Sequence, residues 1–70
     1  MSEIPDLKKE IEAILFSAGR VILLSEFIHL LGVDENSVKE NVEQLRQEHI
    51  DRDSPILLIH EGEGWKLTIR

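Results

Sequence analysis

Apolar residues recur along the chain with two different periods, and the change of period marks its elements. Residues 6–18 follow a helical period, with Leu7, Ile11, Ile14, Leu15 and Ala18 on one stripe. Pro5 suits the first turn of this helix, Asp6 favours its positive end, and Gly19 is the stop signal after the last periodic residue. The apolar run Val21-Ile22-Leu23-Leu24 is too short for a helix and begins with β-branched side chains. It predicts a short strand or an extended connector. Ser25 is an N-cap for a second helix over 26–31. Phe27, Ile28, Leu30 and Leu31 leave that helix apolar almost all round, which predicts burial. Gly32 ends it.

The third helix has two possible starts. Asp34 is one N-cap; Ser37, with Glu40 three residues later, is another in capping-box form. The helix runs to about Ile50 with Val38, Val42, Leu45 and His49 as its stripe, and Ser54-Pro55 lies beyond its end. The period then falls to two. Residues 56–60 and 65–70 predict a hairpin around Glu61-Gly62-Glu63-Gly64. If Glu61 faces Gly64, then His60 pairs with Trp65, Leu58 with Leu67 and Ile56 with Ile69. All six side chains then share the inner face. Leu57, Ile59, Lys66, Thr68 and Arg70 form the outer one.

Helix, short strand, helix, helix, hairpin is the order of a winged helix-turn-helix: an α+β fold, mainly α, with three helices, a short strand and a two-stranded wing. The Gly32-Val33-Asp34 junction is the turn between the second and third helices. The 70 residues form one domain, with no repeat, linker or low-complexity stretch.

Charge changes the usual expectation for this fold. The chain has 14 acidic against 8 basic residues, a formal net charge of −6. In a DNA-binding winged helix the third helix enters the major groove and offers basic or amide side chains. Here it carries Asp34, Glu35, Glu40, Glu43 and Glu48 against Lys39 and Arg46, and the wing tip adds Glu61 and Glu63. Phosphates repel such a surface. Asn36, Asn41, Gln44, Gln47, Lys66 and Arg70 are what a DNA-binding transcription regulator, the alternative function, would have to use. The plainer reading, and the preferred one, is that they solvate a helix face.

Nothing predicts catalysis, a cofactor or a metal. His29, His49 and His60 have no ligand spacing, and no nucleophile has a credible base. His49 is expected half-buried with its polar tip in water, His60 packed in the hairpin, and His29 exposed. No cysteine is present, which excludes disulfides, zinc fingers and thiol chemistry. The N-terminus lacks a signal-peptide pattern and no apolar run reaches membrane-spanning length. The expectation is a cytoplasmic protein that contacts neither membrane nor nucleic acid.

The remaining chemistry is spare apolar surface. Phe16 lies about 150° around the first helix from the centre of its stripe, and either lies under the following segment or faces outward. Leu57 and Ile59 stand on the outer wing face, near the segment that holds Val21, Ile22 and Leu24. These six residues are the candidate partner-binding set, for a second copy or a peptide, including strand addition at a sheet edge.

Leu15-Phe16-Ser17-Ala18-Gly19, with a short apolar connector and Ser25-Glu26-Phe27, resembles the opening of the segregation and condensation protein B family. Leu31-Gly32-Val33-Asp34 leading into Val38, Val42 and Leu45 resembles it too, as do the two strands of the hairpin around Gly64-Trp65-Lys66. Order and spacing carry the match over nearly the whole chain. The connector Arg20-Val21-Ile22-Leu23 departs from the family, which usually has a proline there. The resemblance implies a non-enzymatic subunit of the prokaryotic SMC–kleisin condensin complex. It would form a homodimer, bind the kleisin subunit, and act in chromosome condensation and segregation at the nucleoid. It also implies a second, C-terminal winged-helix domain, which lies outside residues 1–70.

Overall fold

The computed structural model describes residues 6–69, so Pro5 and Arg70 lie outside the described residues. Helix α1 (Leu7–Ala18) starts where the Asp6 carboxylate accepts the Lys8 N–H at 3.1 Å. It ends at Gly19, whose left-handed backbone lets its N–H reach the Leu15 carbonyl. Strand β1 is only Ile22–Leu23, and helix α2 follows at once as Leu24–Leu31. Helix α3 is Glu35–Asp51, and strands β2 (Ile56–Glu61) and β3 (Gly64–Ile69) form the wing.

The α2 start differs from the expected Ser25 cap. The helix begins at Leu24, and Glu26 turns back to accept the Leu23 N–H at 2.9 Å. The Leu24 N–H donates to the Glu63 carbonyl at 2.9 Å, which ties the helix entry to the wing turn. An N-terminal donor is thus satisfied by another element rather than by Ser25. Nor is α2 buried all round. Only Phe27 is fully buried, Ile28 and Leu31 are partly so, and Leu30 is 61% exposed. For α3 the choice falls on Asp34, whose carboxylate accepts from both the Ser37 N–H and the Ser37 hydroxyl.

The hairpin register is the expected one, with Glu61 opposite Gly64, His60 opposite Trp65, Leu58 opposite Leu67 and Ile56 opposite Ile69. The strands close on a two-residue turn, Gly62-Glu63, with Gly62 at φ 62° as the first residue of a II′ turn requires. Strand β1 adds to the far side of β3, giving the antiparallel order β1-β3-β2. Gly64 makes that closeness possible: a Cβ there would stand 2.5 Å from the Ile22 carbonyl oxygen.

Ile11 and Leu15 of α1, Phe27, the α3 stripe of Val38, Val42 and Leu45, and Ile22, Leu58 and Trp65 of the sheet make one core. The Phe27 and Trp65 rings meet at a tilt, with centroids 6.1 Å apart. Two expectations for this interior are corrected. His49 has no tip in water: it is 3% exposed, between α1 and the chain after α3. Ile69 lies on the expected face but is not covered: the helices reach along the wing only as far as Leu58 and Leu67, and Ile69 is 79% exposed.

Candidate partner-binding site

The winged-helix groove comes first, because it is where DNA would lie. A recess of about 630 Å³ runs between α3 and the wing, with Leu24 and Trp65 at its base. Glu35, Glu43 and Glu63 line it against one cation, Lys39, and that lysine is paired with Glu35 at 2.8 Å. Arg46 is engaged by Glu43, and this hydrogen bond and charge hold the Glu43 carboxyl below its ordinary range. The Ser37 hydroxyl and N–H similarly lower Asp34. These acids are therefore firmly ionised at neutral pH, and the helix that would enter a major groove presents fixed negative charge. His60 lies over Trp65 with ring centroids 5.1 Å apart, nearly parallel, so it takes part in hairpin packing from an exposed position.

The six candidate residues do not form one patch. Phe16 faces outward at 71% exposure and does not lie under the following segment. Ile22 is a core residue at 2% exposure. Val21 and Leu24 are half-buried, Val21 against Gly64 and Leu24 in the acidic recess. Leu57 and Ile59 are half-buried on the outer wing face, opposite Thr68 and Lys66.

Phe16 instead adjoins residues from the face expected to point inward. A largely apolar hollow of about 380 Å³ lies between the C-terminal half of α1 and the open end of the hairpin, bordered by Phe16, Ile56, Leu67 and Ile69. It continues along α1 past Ala13 to Lys9 and Glu12. Ile56, Leu67, Ile69 and Ala13 were not candidates in the sequence. The signal available there was length: a hairpin with five apolar residues on its inner face outruns what the α1 stripe can cover.

A buried polar relay stabilises this side of the molecule. The Glu12 carboxylate, which can only accept, faces His49 Nε2 at 3.0 Å, so this ring nitrogen carries a proton. His49 Nδ1 then accepts from the Ser54 hydroxyl at 3.2 Å, and Ser54 Oγ accepts the Ile56 N–H at 3.0 Å. Lys8 pairs with Glu48 beside it. Among the described residues, no group of three or more His, Cys, Asp or Glu is placed to hold a metal, and no helix is long and apolar enough to cross a membrane.

Comparison with known proteins gives a consistent match. Residues 9–70 fit the family model described as segregation and condensation complex subunit ScpB. A crystal structure of a dimer of the ScpB N-terminal domain complexed with ScpA peptide superposes with a TM-score of 0.83 at 31% identity, over 90% of this chain and 79% of that one. The crystal structure of ScpB from Mycobacterium tuberculosis gives 0.87 at 25% identity, over 99% of this chain and 44% of that one. This chain therefore spans less than half of the mycobacterial protein. No curated protein sequence matches the chain.

Proposed function

The chain belongs to the ScpB family of segregation and condensation complex subunits, and from that membership we propose that it is a non-enzymatic accessory subunit of the prokaryotic SMC–kleisin condensin complex. In this role it forms a homodimer and binds the kleisin subunit, and it reaches the nucleoid through that complex from the cytoplasm. The observation that carries the proposal is the likeness to an ScpB N-terminal domain crystallised as a dimer with ScpA peptide, at 31% identity over 90% of the chain. The physical features agree. The groove used by DNA-reading winged helices is lined with three glutamates, whereas an apolar hollow lies beside an exposed phenylalanine. Exposed apolar surface of this kind marks protein contact.

Co-expression with the kleisin encoded in the same genome tests the role. The two proteins are expected to co-elute in size exclusion at 0.5 M salt, roughly, because apolar contact survives screening that removes surface charge attraction. Separate elution at every salt concentration would refute kleisin binding by this chain.

A further inference from the structure

The recess between α3 and the wing repels phosphate, and the same charge defines what fits it. Glu35, Lys39 and Glu43 follow one another at four-residue intervals on one face of α3, and Glu63 borders the recess from the wing turn. Three glutamates against one lysine give a formal net charge of −2 around a volume of about 630 Å³, within the roughly 300–1,000 Å³ of a ligand pocket. Lys39 and Glu35 neutralise each other at 2.8 Å. The other two acids remain open to a ligand. Arg46 takes one oxygen of Glu43, Oε2, and the Glu63 side chain pairs with no other among the described residues.

Charge alone does not make a site, and the second feature lies at the base. Trp65 is 7% exposed, and its indole N–H, which can only donate, meets no acceptor among the described residues. No fully buried side-chain nitrogen or oxygen among those residues lacks a partner, so this N–H is not sealed in the core. It opens where Trp65 reaches the surface, at the base of the recess. A donor in that position calls for a neutral acceptor such as a peptide carbonyl. His60 stacks on Trp65 with centroids 5.1 Å apart, and Leu24 adjoins them, so the base suits the apolar stems of long cationic side chains. The α3 wall runs about 12 Å from Glu35 to Glu43. That is the length of roughly four residues of extended chain, which presents alternate side chains to one wall.

We propose that this recess seats an extended, basic segment of another protein, whose arginine or lysine side chains meet Glu43 and Glu63 while one of its backbone carbonyls accepts from the Trp65 indole. The contact lies at a different recess from the apolar hollow and does not depend on the kleisin reading above.

Trp65 is the one tryptophan of the chain, so intrinsic emission reports on this recess. The full chain is titrated at low salt with a nonapeptide of alternating arginine and serine, and with its counterpart of alternating glutamate and serine. The basic peptide is expected to move the emission to shorter wavelength in a saturating curve, because it excludes water from the indole, and the acidic peptide to leave it unchanged. Glu43→Gln and Glu63→Gln alter exposed side chains, and circular dichroism verifies that both are folded. Each should weaken binding about fivefold, the upper range for an exposed ion pair. Glu10→Gln, which removes the same charge from an exposed position on α1, should bind as the wild-type chain does. An emission that stays unchanged at millimolar basic peptide overturns the proposal. So do recess variants that bind no more weakly than Glu10→Gln, because the peptide is then held by the overall net charge of −6 and not by the recess.

Discussion

A methyl group on Gly64 would stand 2.5 Å from the Ile22 carbonyl oxygen and 2.8 Å from a Val21 methyl. The oxygen belongs to backbone and cannot swing aside as a flexible side chain would. Gly64→Ala should therefore push β1 away from β3 and lower stability by about 2–3 kcal/mol, seen as a lower urea midpoint with an unchanged slope. Glu26 acts at the other end of the same junction. Its carboxyl is held at about 2, from an ordinary 4.5, first by the hydrogen bond from Arg20 and then by the Leu23 N–H. A carboxyl with a depressed folded value stabilises the fold above pH 4.5 and loses that contribution as pH falls from 4.5 towards 2. Glu26→Gln should flatten the melting-temperature profile across this window, and the two proteins should converge at its acid end. The sequence marked neither role. Glu26 was legible as a helix residue and Gly64 as a turn residue, but their partners come from elements brought close only by folding.

Helix and strand boundaries were legible where the signal is local. Gly19, Gly32 and the Gly62-Glu63 turn act through residues within a few positions, the start of α3 was narrowed to Asp34 or Ser37, and the wing register follows from side-chain alternation. Legibility ended where one element satisfies another. Ser25 has the chemistry of a cap, yet the Leu24 N–H goes to the wing turn instead. His49 lies on the α3 stripe, so its burial was half visible, while Glu12 and Ser54, which make burial affordable for a polar ring, lie 37 and 5 positions away. This relay joins α1, α3 and β2 without a buried side-chain polar atom left unpaired among the described residues. His49→Ala should remove ring packing and both hydrogen bonds and cost about 2–4 kcal/mol in thermal or urea unfolding. Glu12→Gln, which keeps an acceptor oxygen at the same place, should cost less than about 1 kcal/mol. Equal losses in the two variants would mean that charge, rather than the hydrogen bond, holds the helices together.

For the whole molecule, the arrangement of charge and apolar surface separates two uses of one fold. Acidity along α3 and the wing tip was visible in the sequence, because side chains on a solvated helix need no partner to be placed. The apolar hollow was not, because it forms where α1 ends beside a hairpin that extends beyond it. Phe16 was the one residue of that hollow open to the sequence, through its angle from the α1 stripe. Ile56, Leu67 and Ile69 were assigned inward, since alternation gives a face but not how far the helices cover it. The same charge arrangement predicts that a mixed-sequence duplex shows no salt-sensitive binding, even at low ionic strength where phosphate attraction is strongest.

As proposed, this winged helix contacts a kleisin and not DNA. Fluorescence anisotropy tests both halves in one experiment: the chain is titrated at low salt onto a labelled central segment of the kleisin and, separately, onto a labelled duplex. A kleisin contact without a DNA contact predicts a saturating rise with the kleisin segment and a flat trace with the duplex. A saturating, salt-sensitive rise with the duplex and none with the kleisin would contradict it.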